Sequence, residues 1–154
     1  MKSLRNILLC LIIATLSLSA QSGLAQDKSS DSTASAPKII LDNISDFFTL
    51  LSEHDFEKAY QQILAKSPLL NDKQNLDKLI KETSKIEEFY GKLDQYEYFK
   101  TEIVTKSYIR VSCLGLCTKH PMRWIFTYYN SPETGWLVTN IKFDDLTENY
   151  FMGK

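Results

Sequence analysis

The sequence predicts an α+β domain in which helices come first in the chain and pack on one face of an antiparallel sheet of about four strands. Two observations carry this prediction. Apolar residues recur every three or four positions as far as Gly91 and about every second position after it, which is the change from helical to strand periodicity. The runs after Gly91 are also rich in aromatic and β-branched residues, as strands are. Separate blocks of helices and strands favour α+β over a parallel sheet, in which the two would alternate.

Three helical segments are predicted before Gly91. The first begins at Asp42, the second has Asp55 as its N-cap, and the third runs from about Asp72 to Gly91. Aspartate is a favoured N-cap, and glycine commonly ends a helix because it accepts positive φ. The apolar faces are Ile44, Phe47, Phe48 and Leu51 in the first segment, Phe56, Ala59, Tyr60, Ile63 and Leu64 in the second, and Leu76, Leu79, Ile80, Thr83, Ile86 and Tyr90 in the third.

Four strands are predicted after Gly91, over residues 95–106, 107–113, 122–130 and 136–143. Residues 130–135, with the sequence Asn-Ser-Pro-Glu-Thr-Gly, have the composition of a turn. The last two strands should therefore form an antiparallel hairpin.

Residues 1–25 have the pattern of a secretory signal peptide. Two basic residues precede an apolar run from Ile7 to Leu18, and small residues lead to Ala25. The apolar run is about a dozen residues, shorter than the ~20 that a membrane-spanning helix needs. We expect cleavage after Ala25, export to the periplasm or the exterior, and no permanent membrane anchor.

Residues 26–38 lack large apolar side chains over most of their length and are predicted to be a flexible linker, which leaves residues 39–154 as a single domain. Without the two basic residues of the signal peptide, the mature chain carries 16 Lys and Arg against 19 Asp and Glu. The two signs interleave along the chain, whereas a nucleic-acid binder concentrates positive charge on one face. We therefore expect no nucleic-acid partner.

Cys113 and Cys117 are the cysteines that remain after signal cleavage, and an even pair in an oxidising compartment predicts a disulfide. Four positions along a strand span ~13 Å, whereas a disulfide needs Cα atoms within ~7 Å. The prediction therefore requires the chain to reverse at Gly115. The alternatives are a metal site that adds His120 but lacks an evident fourth ligand, and two free thiols.

Several segments recur in an order typical of one superfamily: Asp55-Phe56-Glu57-Lys58-Ala59-Tyr60, the long helix closed by Gly91, Tyr96-Glu97, Arg123-Trp124-Ile125-Phe126-Thr127-Tyr128-Tyr129, Gly135-Trp136-Leu137-Val138 and Ile141-Lys142-Phe143-Asp144-Asp145. This order resembles the NTF2-like superfamily, and in particular small secreted bacterial members of uncharacterised function. The resemblance implies a cone in which helices and a strongly bent sheet enclose a cavity. Members include enzymes, small-molecule binders and interaction modules, so the fold alone sets no function.

Aromatic residues on the predicted strands define a candidate ligand site. Strand alternation places Trp136, Val138 and Asn140 on one face. Most of the aromatic side chains are expected to be core, and a polar residue, arginine or asparagine, would orient a ligand among those that are not. The candidate site residues are Tyr98, Arg110, Trp124, Tyr128 and Asn140.

Neither histidine lies in a recognisable nucleophile motif, and His54 is expected to cap a helix or lie on the surface. No catalytic, cofactor or metal motif is assigned. We expect a non-catalytic module that binds a small apolar or aromatic ligand or a protein partner, with a homodimer through the exposed side of the sheet. The alternative is an isomerase- or hydrolase-like enzyme with acid–base chemistry in the cavity. A perturbed ionisable group deep inside would favour the enzyme, whereas an interior filled by its own aromatic side chains would favour the module.

Overall fold

A computed structural model of the protein describes residues 35–151. The predicted signal peptide, residues 1–25, and the predicted linker as far as residue 34 lie outside the described residues. Within residues 35–151, no helix is both long and apolar enough to cross a membrane.

Four helices come first in the described chain. They are α1 (Lys38–Ser52), α2 (Phe56–Ile63), α3 (Lys73–Ser84) and α4 (Ile86–Tyr90), with a 3₁₀ turn at Pro68–Asn71. Helix α1 begins four residues before the predicted start at Asp42, because the Pro37 carbonyl accepts hydrogen bonds from the backbone N–H groups of Ile40 and Leu41. Ala36 belongs to the predicted linker, but it is buried against the core. The folded part of the chain therefore begins before residue 39, the predicted start of the domain.

The predicted helix ends are confirmed at three residues. The Asp55 and Asp72 carboxylates accept hydrogen bonds from the first turns of α2 and α3, each at 3.3 Å, and Gly91 ends α4 with a φ of +83°. The predicted third helix is divided at Lys85, whose N–H bonds to the Glu82 carbonyl three residues back. Such a 3₁₀-type turn interrupts the α-helical ladder and separates α3 from α4.

Four antiparallel strands follow and form one open sheet in the order β1-β2-β3-β4. The predicted α+β class and the hairpin between the last two strands are confirmed. The register shifts at Asp94, Phe99 and Val104 in β1 and at Thr139 in β4. Such bulges bend a strand and increase its twist. The strands are β1 (Leu93–Thr105), β2 (Tyr108–Cys117), β3 (Met122–Ser131) and β4 (Gly135–Asp144).

Helix α1 covers the inner face of this sheet, and Phe47 is at the centre of the contact. Its ring lies 5.4 Å from those of Trp124 and Phe126 on β3 and 5.3 Å from that of Tyr60 on α2, in each case edge to face. Aromatic pairs favour this arrangement. The core therefore joins α1, α2 and β3.

The predicted disulfide between Cys113 and Cys117 is wrong. Both residues lie on β2, which stays extended through Gly115, and both thiols are free. Gly115 pairs with Tyr96 on one side and Met122 on the other, so the chain does not reverse there. Over four extended residues the separation is ~13 Å, too far for a disulfide.

Candidate functional site

The five predicted ligand-site residues lie on two different faces of the sheet. Trp124 and Tyr98 both pair with the buried Cys113 and lie on the inner face with Tyr128. Arg110 and Asn140 lie on the outer face, opposite to the face that α1 covers. The five residues therefore do not form one site.

Asn140 is on the outer face because of the bulge in β4. Val138 pairs with buried Tyr128, whereas Asn140 pairs with Thr127, and Thr139 is the extra residue between them. One inserted residue reverses the face of every side chain beyond it. The prediction that Asn140 shares a face with Trp136 and Val138 is therefore wrong.

Trp124 and Tyr128 are core residues. They are 1 % and 0 % exposed, respectively, and the Trp124 ring is enclosed by Phe47 and Phe143, at centroid distances of 5.4 and 4.7 Å. The Tyr128 hydroxyl has no hydrogen-bonding partner among residues 35–151. Burial, with the Cys113 thiol nearby, raises the pKa of Tyr128 above its usual range. The inner face at these residues is filled by side chains and presents no open polar group.

Tyr98 is half exposed, but its hydroxyl already has a partner. It donates a hydrogen bond to the Leu41 carbonyl of α1 at 2.8 Å. Its neighbour Tyr96 stacks on Phe48 of α1 with the ring centroids 4.3 Å apart. The two tyrosines hold the first half of β1 against α1. Tyr98 therefore stabilises the position of β1 and is not assigned to a ligand site.

Arg110 is engaged on the outer face by an acidic residue of β1. Its Nε lies 2.7 Å from Glu102 Oε2 and its Nη2 lies 3.0 Å from Glu102 Oε1. This bidentate pair lowers the pKa of Glu102 and raises that of Arg110. Lys100 adds a second contact to Glu102 at 3.3 Å. The guanidinium is thus held by Glu102, and both side chains line an open pocket of about 310 Å³ on the outer face.

A small pocket opens between the loop after α1, helix α4 and the ends of β1 and β2. His54 in that loop has a φ of +63°, and its Nδ1 lies 2.9 Å from Glu87 Oε2 on α4. Cys117 and Trp124 also line the pocket. The open volume is about 20 Å³, which is room for about one water molecule. This pocket joins the helices to the sheet but is too small for a substrate.

The cysteine thiols are poorly suited to nucleophilic chemistry. Burial raises the pKa of Cys113 well above its usual range. Burial, assisted by the nearby Glu87 carboxylate, raises the pKa of Cys117 as well. The thiolate is the reactive form of cysteine, so both residues favour the unreactive thiol.

Exposed apolar side chains gather at the β1–β2 end of the sheet. Four of the eleven large apolar residues that are exposed in the described chain lie here, a fifth, Phe99, lies midway along β1, and Val104 is the most exposed of all eleven at 74 %. Tyr108 of β2 pairs with Tyr129 of β3 on the outer face, whereas Ile103 pairs with buried Ile109 on the inner face, so the group surrounds this edge of the sheet and does not lie on one face. None of the predicted site residues lies in this group, although adjacent Ile103 and Val104 near the end of a predicted strand are a signal for it in the sequence. We call the group Phe99, Ile103, Val104, Tyr108 and Tyr129 the hairpin surface.

A second apolar region is a surface groove between α4 and the end of β4. It is lined by Ile86, Phe89, Phe143 and Leu146, and Phe89 is 64 % exposed. The Tyr90 hydroxyl closes one part of the groove by donating to Asp145 at 2.6 Å. We call it the α4 groove.

No group of three or more His, Cys, Asp and Glu side chains within residues 35–151 is arranged to hold a metal ion. The fold and these surfaces define the chain as a small α+β protein with a filled interior. Comparison with protein-family models, with characterised proteins and with solved structures finds no significant match.

Proposed function

We propose that this chain is a non-catalytic, NTF2-like interaction module that binds a protein partner through the hairpin surface. The observation that carries the proposal is the concentration of exposed apolar side chains beside the edge of β1, which pairs only with β2 within residues 35–151. Exposed apolar patches on small proteins commonly mark interaction sites. An edge strand offers unpaired backbone N–H and C=O groups to a partner at the same place.

The interior supports a binding role over a catalytic one. Acid–base catalysis would need ionisable groups beside a space for substrate. The one ionisable pair at the small pocket, His54 and Glu87, faces room for about one water molecule. The inner aromatic residues Trp124 and Tyr128 are used in packing, which also favours a protein partner over a small ligand inside the domain.

Site-specific photocrosslinking tests this proposal. A benzophenone amino acid replaces Val104 on the hairpin surface or, as a matched control, the similarly exposed Phe89 of the α4 groove. After irradiation in cells that naturally make the protein, we expect a crosslinked adduct from position 104 and none from position 89. An adduct from position 89 alone would move the interaction surface to the α4 groove and overturn the proposal.

We also propose that the module acts outside the cytoplasm, which rests on the signal peptide predicted at residues 1–25. N-terminal sequencing of the protein recovered from the periplasm or medium should begin at Gln26. A cytoplasmic protein that still begins at Met1 would contradict this proposal.

A further inference from the structure

We propose that the partner is a second copy of this chain, joined edge to edge through antiparallel pairing of β1 around Thr101. This inference rests on the proposed function, because it names the partner of the same surface. It differs from a dimer through the outer face of the sheet, since here the contact is the strand edge.

The edge of β1 is free to accept a strand. β1 is the first strand of the sheet and pairs only with β2 within residues 35–151. Its first half lies against α1 through Tyr96 and Tyr98, whereas its second half, from Phe99 onward, carries exposed apolar side chains. The available edge is therefore the second half.

The sequence of this half is complementary to itself when read in reverse. In an antiparallel pair centred on Thr101, a residue n positions before Thr101 faces the residue n positions after it in the second copy. Lys100 then faces Glu102 of the second copy, and Glu102 faces Lys100. Phe99 and Val104 are extra residues at register shifts of β1, so the regular part of the edge is Lys100 to Ile103. Within it the register gives two pairs of opposite charge.

The side chains are on the faces that this register needs. Lys100 pairs with Ser112 and Glu102 pairs with Arg110 in the sheet, so both charged side chains lie on its outer face. Directly opposite residues of an antiparallel pair share a face and come within contact distance. Both ion pairs would therefore form on the outer face of a continuous sheet.

Neighbouring registers are unfavourable. Pairing centred on Lys100 would place Lys100 against Lys100, and pairing centred on Glu102 would place Glu102 against Glu102. Like charges directly opposite one another destabilise a strand pair. Charged residues on an edge strand commonly prevent pairing with an unrelated apolar strand. Here the same charges are compatible with a second copy of the strand, but in one register only.

Analytical ultracentrifugation of the purified mature chain over a wide range of concentration tests the inference. We expect a reversible monomer–dimer equilibrium whose dissociation constant rises roughly tenfold or more in Lys100→Glu, because both ion pairs become repulsive contacts. Lys142→Glu makes the same change of charge on β4, the opposite edge strand, and should leave the equilibrium unchanged. A wild-type chain that stays monomeric up to ~1 mM, or equal weakening by both variants, would overturn the inference.

Mixing two variants provides a second readout. Lys100→Glu and Glu102→Lys should each dimerise weakly alone, but together they restore both opposite-charge pairs and should form a 1:1 heterodimer. Circular dichroism confirms that each variant is folded, and Lys100→Glu alone remains decisive if loss of the Arg110 pair unfolds Glu102→Lys. A folded pair that forms no heterodimer would contradict the register.

Photocrosslinking at Val104 separates this inference from the proposed function. A crosslinked adduct of twice the mass of the mature chain supports self-pairing. An adduct with a different protein, from a chain that is monomeric in the centrifuge, overturns self-pairing while the interaction module stands. No adduct from position 104 overturns both.

Discussion

Two buried tyrosines offer a matched test of how the interior is filled. Tyr60 and Tyr128 are both 0 % exposed. The Tyr60 hydroxyl shares a 2.7 Å hydrogen bond with the buried Thr83 hydroxyl, whereas the Tyr128 hydroxyl has no partner in the described part of the chain. The same substitution, tyrosine to phenylalanine, should therefore change stability in opposite directions at the two positions.

The expected magnitudes follow from the hydrogen bonds. Tyr60→Phe leaves the Thr83 hydroxyl buried and unpaired, which should lower the free energy of unfolding by about 1–3 kcal/mol. Tyr128→Phe removes a hydroxyl that has lost its water without gaining a bond, so the free energy of unfolding should stay the same or rise by about 1 kcal/mol. Urea unfolding followed by circular dichroism measures both as shifts of midpoint at constant m.

The double variant Tyr60→Phe with Thr83→Val is the control for the first magnitude. Removing both hydroxyls leaves no unpaired polar group, so this variant should be more stable than Tyr60→Phe alone and close to wild type. A Tyr128→Phe variant as unstable as Tyr60→Phe would refute the reasoning. It would mean that the Tyr128 hydroxyl has a hydrogen-bonding partner, such as a buried water molecule, and that the interior has space for it. Such space would also make a ligand inside the domain more plausible.

Three further outcomes follow from the cysteines, one ion pair and the glycines. In the native protein, iodoacetamide should alkylate Cys117 slowly and Cys113 more slowly still. In urea without a reductant, it should alkylate both cysteines rapidly. If neither cysteine reacts in urea until a reductant is added, the two cysteines form a disulfide after all. The Arg110 pair lowers the pKa of Glu102 in the folded protein. The ionised Glu102 therefore contributes its full share to the free energy of unfolding above the unfolded-state pKa of about 4.3. That share is lost as the pH falls through the lower folded-state pKa. Unfolding curves of dilute wild type and Glu102→Gln should therefore converge in acid, and a constant difference across pH would contradict this role. Gly91→Ala should lower the free energy of unfolding more than Gly135→Ala does. Both glycines have a positive φ, but only at Gly91 does the new methyl group meet neighbouring atoms. Equal losses of stability would mean that backbone strain alone accounts for both and that the contact at Gly91 costs nothing.

Local signals in the sequence sufficed for three of the helix ends and for the class of fold. Asp55, Asp72 and Gly91 act through bonds to residues within one turn, so their roles are readable from residue type and spacing. The change of periodicity at Gly91 depends only on which face is buried. These features need no knowledge of distant contacts.

The candidate ligand site depended on tertiary detail that the sequence does not encode locally. The bulge at Thr139 has no glycine to mark it, yet it moves Asn140 to the outer face. Arg110 is held by Glu102, eight residues away on another strand. The predicted reversal at Gly115 failed because the neighbouring strands continue past it on both sides. Each error arose where pairing between strands, and not local preference, determined the outcome.

The distribution of aromatic side chains explains why an interaction site would lie at the edge of this fold and not inside it. A domain of this size buries limited apolar area, so large side chains such as Phe47 and Trp124 are needed for stability. Emptying the interior for a ligand would remove those contacts. Ile103 and Val104 contribute little to the core because they lie at the exposed end of β1, so they are free to serve a partner. In the proposed pairing of two copies, the charges of Lys100 and Glu102 on the outer face would set the register of the two strands.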